Sequence, residues 1–198
     1  MLCGCFVSDV RNFIKLGGVI MLYAVLGQTL SGKSTLVRDL VTVTGIKQII
    51  TYTTRPIRKG ERDGVDYHFI SSEEMDKPEF FGRRDFHTVY REEPYSYAMS
   101  KDDMLPFGDA IIILDPQGVR AVKDEIGHSN VTTVFIDAPI DLLIKRGKLR
   151  GDSEEEVQRR LYVDRDAFIS AKYFADIVLD PEKDDMLNYM YDTIKGRR

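Results

Sequence analysis

Residues 27–35 read GQTLSGKST and match the pattern G-x-x-x-x-G-K-[ST]. The residue types suit one task, gripping a string of phosphates. Gly27 and Gly32 let the backbone wrap closely, so that the N–H groups of Gln28, Thr29, Leu30 and Ser31 turn inward. A helix starting near Lys33 adds the positive end of its dipole. Lys33 would reach the β- and γ-phosphates and is the first catalytic candidate. Ser34 would offer its hydroxyl to Mg²⁺, and Thr35 would touch the α-phosphate. The whole stretch is therefore a candidate ATP-binding loop.

A second set lies downstream in TTRPIRKGERDGVDYHFIS. Arg55 and Arg58 flank Pro56, which favours extended backbone at Arg55. The two guanidinium groups can converge on one phosphate, with the Tyr67 hydroxyl as a further donor. Asp115 follows the apolar run AIIIL. A carboxylate at such a strand end can hold Mg²⁺ through water or bind acceptor hydroxyls, and it can equally cap the next helix.

Positioning these groups requires an alternation of strands and helices. MLYAVLG reads as a buried strand, followed by a helix from Ser34 to Val43 that Gly45 ends. IKQIITY reads as a second strand and VDYHFI as an edge strand. Ser72–Lys77 suits a short capped helix. Phe80 to Ser100 is aromatic, without helical period, and suggests short strands in a lobe outside the main sheet, residues 52–100. AIIIL is a strand, PQGVRAVKDEIG a helix opened by Pro116, VTTVFID a strand, and PIDLLIKRG a helix stopped at Gly147. Glu154 to about Tyr173 reads as one long helix, ADIVL as a last strand, and Met186–Ile194 as a closing helix. The pattern predicts an α/β fold of P-loop type: a parallel central sheet between helical layers, a small mainly β acceptor lobe and a helical lid at 146–163.

The totals agree with one domain. The chain has 198 residues, 43% hydrophobic and 30% charged, with net charge −4. There is no basic footprint of a nucleic-acid binder, and no apolar run of membrane-spanning length. Cys3 and Cys5 are the only cysteines, so we expect a reducing, cytoplasmic setting. Residues 1–20 fit poorly with the rest. Leu16-Gly17-Gly18 can be encoded by a ribosome-binding AGGAGG just before the Met21 codon, so the expectation is an N-terminal extension, with translation starting at Met21, ahead of a domain at 21–198.

The phosphate loop, TTRPIRKGERDGVDYHFIS, LDPQGVRAVK and RGKLRGDSEEEVQRRL, at this spacing, together resemble the guanylate kinase family. The likeness runs from Tyr23 to about Asp180. It implies Mg²⁺-dependent transfer of the ATP γ-phosphate to a nucleoside monophosphate, by a monomer or homodimer. It assigns Arg55, Arg58 and Tyr67 to the acceptor phosphate. Asp115, Gln117 and Gly118 complete a D-x-Q-G pattern. Arg146, Arg150 and Arg160 fall in or beside the lid, where mobile arginines neutralise the transferring group. Arg159 and Arg165 read as surface charges.

The resemblance fails at the base. The family's carboxylate after E-F-[LI] is Gly82 here, and the hydroxyl of its Y-G-[ST] motif becomes Met99 in Tyr97-Ala98-Met99. Tyr97 itself stays with the acceptor set. Asp85 and Glu79 are the nearby carboxylates. Leu179 replaces an Asn beside the adenine. Phe80, Phe81, Phe86, Tyr90, Tyr95 and Tyr97 either stack on a base or fill the lobe's core. Two other classes stay open: an interaction module without catalysis, against which the full loop argues, and a kinase of a non-nucleotide sugar phosphate.

Overall fold

The computed structural model describes residues 21–58, 60–88, 91–104 and 108–196. Residues 1–20, expected as an N-terminal extension, and Lys59 and Tyr90 lie outside them.

The central sheet has five strands: β1 (Leu22–Gly27), β2 (Lys47–Ile49), β7 (Ala110–Ile113), β8 (Val131–Ile136) and β9 (Ile177–Leu179). Their order is β2-β7-β1-β8-β9, and every pairing is parallel. Both sheet faces are covered, so β1 and β8 are buried along their whole lengths. Alternation divides β1 between two cores. Leu22, Ala24 and Leu26 meet Val119, Val122 and Ile126 of α3 (Pro116–Ile126). Tyr23 and Val25 meet Leu36, Val37 and Leu40 of α1 (Lys33–Thr44), with Met190 and Ile194 of α7 (Met186–Lys195).

A second sheet has the order β4-β3-β6-β5. It is built from β3 (Tyr52–Thr53), β4 (His68–Phe69), β5 (Phe80–Thr88) and β6 (Arg91–Ser100), with the capped turn α2 (Ser72–Met75) between β4 and β5. The lobe is one long antiparallel pair plus two short strands, not a set of short ones, and β4 is one of its edge strands. Residues 46–52 do not form a single strand. They divide into β2 in the main sheet and β3 in the lobe, so this run hands the chain from one sheet to the other.

The helices after β8 also differ from expectation. α4 (Ile140–Arg150) runs through Gly147 and ends at Gly151, whose φ of 85° suits a left-handed cap. Gly147 serves close approach instead: a Cβ there would lie 2.5 Å from the Val157 Cγ2 of α5 (Glu154–Phe168). The long helix breaks after Phe168, and α6 (Ala171–Phe174) follows, with Ala171 buried against the sheet.

Candidate functional site

The stretch expected to grip phosphates forms the loop between β1 and α1. Gly27 must lack a side chain, because a Cβ would lie 2.7 Å from Ser31 Oγ and 2.9 Å from the Ile136 carbonyl oxygen. Gly32 has φ 105° and is the N-cap of α1. Leu30 sits at φ 64°, the only positive-φ residue other than glycine among the described residues. That conformation costs about 1 kcal/mol for an L-residue. Its side chain packs onto the cluster of Ala138, Leu143, Val157 and Leu161 beneath α4 and α5. The strained loop is thus tied to the segment read as the lid.

Two cations face this loop. Lys33 Nζ donates to the carbonyls of Gly27 and Gln28, each at 2.7 Å. Arg146, from α4, donates through Nη1 to the carbonyls of Leu30 at 3.1 Å and Ser31 at 2.7 Å. Ser31 Oγ is buried without a partner among the described residues. Ser34 and Thr35, in the first turn of α1, are exposed. The Ser34 hydroxyl is an oxygen donor of the kind a hard ion such as Mg²⁺ takes.

Tyr67 and Tyr97, both expected at the acceptor, gather around a third such residue, Arg55, which is only 4% exposed. Its Nη1 and Nη2 donate to both oxygens of Glu61, at 2.7 and 2.6 Å. Its Nε donates to the Tyr97 hydroxyl at 3.0 Å. The guanidinium lies over the Tyr67 ring, 4.8 Å from its centroid, and 5.4 Å from that of Phe69. Tyr67 in turn meets Tyr97 edge to face. Burial works against the charge of Arg55, yet the Glu61 and Tyr97 contacts hold its pKa above the ordinary value. Burial also pushes the Glu61 carboxyl up, but Arg55 and the Arg58 N–H outweigh it and hold it low. Burial raises the Tyr67 hydroxyl, so it stays a neutral donor.

Some predicted residues stand apart. Arg58 is exposed and reaches the cluster through its backbone N–H, which donates to Glu61 at 2.9 Å. Arg150 is exposed at the end of α4. Arg160 is engaged by Glu156, Nε to Oε1 at 2.7 Å, and lies 3.9 Å from Asp152. Arg159 and Arg160 hold the Glu156 carboxyl down to about 2.

Asp115 is the N-cap of α3, accepting from the Gly118 N–H at 2.7 Å. The same oxygen, Oδ1, accepts from Arg84 Nη1 at 2.8 Å. Glu61 and Arg84 are both absent from the sequence-derived set. Glu61 stood inside the quoted motif, six residues after Arg55. Arg84 had a weaker signal, its place two residues beyond Gly82 on an alternating strand.

At the departures from the family pattern, side chains pack. A Cβ on Gly82 would lie 2.6 Å from Met99 Cε and 2.9 Å from Ala121 Cβ, so these two positions close on each other and on α3. Asp85 is engaged by Ser96 Oγ and Arg83 Nε. Leu179 is buried in the core. Phe81 packs into the core, Phe80 meets Tyr52, and Phe86 is 42% exposed with its edge toward Tyr97.

Comparison with known proteins bears on this arrangement. Residues 20–196 match the family model described as guanylate kinase. A guanylate kinase of Symbiobacterium thermophilum is 36% identical over 149 residues, 71% of this chain and 68% of its own. One of Cupriavidus metallidurans is 31% identical over 188 residues, covering 89% and 83%. A crystal structure of guanylate kinase from Anaplasma phagocytophilum superposes with a TM-score of 0.62 at 21% identity, covering 91% of this chain and 87% of that one. At that identity the superposition speaks for the fold, a parallel sheet with helical layers and a separate small sheet.

Proposed function

The chain belongs to the guanylate kinase family, and from that premise we propose how its residues divide the work of an ATP-dependent nucleoside monophosphate kinase. It transfers the γ-phosphate of ATP to GMP or a related nucleoside monophosphate, giving ADP and the diphosphate. The observation that carries this reading is the presence of two separate anion grips. One is the loop at Gly27–Thr35 with Lys33 and Arg146, and the other is Arg55 with Tyr67 and Tyr97.

The donor's phosphates take the place of the carbonyls that now occupy Lys33 and Arg146. Those carbonyls lie in the loop itself, so both cations are already held within reach of anything the loop binds. Glu61 fixes the orientation of Arg55 while Tyr67 and Tyr97 supply hydroxyls, and Arg58 is free to swing in from the loop surface. An oxygen of the acceptor phosphate attacks the γ-phosphorus. The bond from that phosphorus to the β,γ-bridging oxygen breaks, and ADP leaves with its electron pair. Charge spreads over the transferring group, and Lys33 and Arg146 are placed to neutralise it, joined by Arg150 and Arg160 when α5 closes.

Ser34 would hold Mg²⁺, with Asp115 contributing through water, and the ion would supply positive charge against that of the transferring phosphate. The Leu30 contact with the α4–α5 cluster links loop and lid, so closure excludes water from the γ-phosphate. No helix among the described residues is long and apolar enough to cross a membrane. A cytoplasmic enzyme, monomeric or homodimeric, with ATP and a nucleoside monophosphate as its substrates, fits this reading.

The test is ADP release with GMP, dGMP, AMP, CMP, UMP, dTMP and IMP. Turnover with an oxopurine monophosphate, abolished in Lys33→Ala, is expected. A wild-type protein inactive with every nucleotide would overturn the reading and favour a sugar-phosphate kinase or an interaction module.

A further inference from the structure

Arg84 is 9% exposed, and its Nε is buried with no partner among the described residues. Its guanidinium lies against the first turn of α3, so close that a Cβ on Gly118 would be 2.0 Å from Nη1. That turn is the positive end of an eleven-residue helix, an unfavourable place for a cation. Asp115 offsets it, but spends one oxygen on both Gly118 and Arg84. The pair is left one acceptor short at Arg84 and retains the second oxygen of Asp115.

The pair also faces the right way. Arg84 is the register partner of Tyr97 across β5 and β6, so the two side chains share one face of the lobe. Tyr97 hydrogen-bonds Arg55 on that face, and Phe86, two residues along from Arg84, meets Tyr97 edge to face. Arg83 and Asp85 point to the other face, where they engage Asp76 and Ser96. The Arg84–Asp115 pair therefore borders the acceptor-phosphate cluster, beside the contact that Gly82 and Met99 have closed.

We propose that Arg84 and Asp115 read the acceptor's base through a carbonyl and the adjacent ring N–H, selecting 6-oxopurines without reading a 2-amino group. The proposal rests on the kinase reading above. A guanidinium offers only donors and an ionised carboxylate only acceptors. After a small rotation Arg84 meets O6 and N7, both acceptors on a 6-oxopurine, and Asp115 takes the proton on N1. Adenine puts an amino donor where Arg84 needs an acceptor. With glycine at position 82, the lobe offers the 2-amino group no carboxylate there.

The test uses wild-type protein first. We measure kcat/KM at saturating ATP for GMP, IMP, AMP and the 2-aminopurine riboside monophosphate, which keeps the amino group but lacks O6 and the N1 proton. GMP and IMP are expected to be alike, and AMP and the 2-aminopurine nucleotide poorer by about ten- to a hundredfold. A strong preference for GMP over IMP, or good use of the 2-aminopurine nucleotide, overturns the proposal. In Arg84→Met the four substrates should converge, with KM for ATP unchanged and Arg84→Lys intermediate. A folded Arg84→Met that keeps the wild-type ranking means the ion pair is structural only, and overturns it. Inactivity of the wild type with all four would overturn the kinase reading itself, a distinguishable result.

Discussion

Removing Glu61 separates stability from acceptor binding. Arg55 is 4% exposed, and both oxygens of Glu61 bind it. Glu61→Ala leaves a buried guanidinium without its counter-charge. Breaking a buried pair in this way costs about 3–5 kcal/mol. Glu61 is itself 19% exposed, so water softens the loss, and we expect about 2–4 kcal/mol. For a chain of this length each kcal/mol moves Tm by about 2–4 °C, giving a fall of roughly 5–15 °C. A bound monophosphate brings about two negative charges to the same guanidinium. The deficit should therefore shrink when GMP is saturating and persist with ATP alone. Differential scanning calorimetry of both proteins, unliganded and with each nucleotide, reads this directly. A deficit that GMP and ATP narrow equally, or that neither narrows, would refute Arg55 as an acceptor-phosphate ligand.

Other expectations follow from single contacts. Gly118→Ala should improve α3 by roughly 0.5–1 kcal/mol in helix propensity, yet its Cβ would drive Arg84 off Asp115. Base discrimination should fall while KM for ATP holds, and unchanged discrimination would count against the pair. Gly147→Ala forces a methyl group to within 2.5 Å of Val157 Cγ2 and should cost about 1–3 kcal/mol, with kcat falling as the α4–α5 packing shifts. Both effects are read from urea unfolding and steady-state rates. Glu61 and Glu156 have carboxyls held below their ordinary value of 4.5, Glu156 at about 2. A depressed carboxyl stabilises fully above the unfolded value and loses that contribution as pH falls through the folded one. Stability should thus drop from about pH 4.5 downward, most of the Glu156 share by pH 2, and Glu156→Gln should flatten that slope. An identical slope in the variant would contradict the assignment.

The parallel sheet and its covering helices were legible because local pattern carries them. AIIIL is a continuous apolar run, VTTVFID is rich in β-branched residues, and GQTLSGKST and D-x-Q-G mark the ends of strands. Where Gly acts through space the sequence misleads: Gly147 reads as a stop but is a contact point for Val157, and Gly151 ends the helix. Nothing in IKQIITY announces that its residues serve two sheets, since the division depends on β7 pairing with one half and β6 with the other. The same holds for the site. Lys33 and Arg55 announce themselves by motif. Arg84 and Asp115 are thirty-one residues apart, and no periodicity links them; their pairing exists only once β5 lies against α3. The Gly82–Met99 contact is similar, two departures from a family pattern that become one packed feature.

In the proposed mechanism two anion grips act on one pair of nucleotides. A compound joining adenosine to guanosine through a polyphosphate chain tests it most directly by isothermal titration. It should bind far more tightly than ATP or GMP alone, with Lys33→Ala and Arg55→Met each removing the gain. Binding no tighter than that of ATP, and unaffected by Arg55→Met, would contradict it.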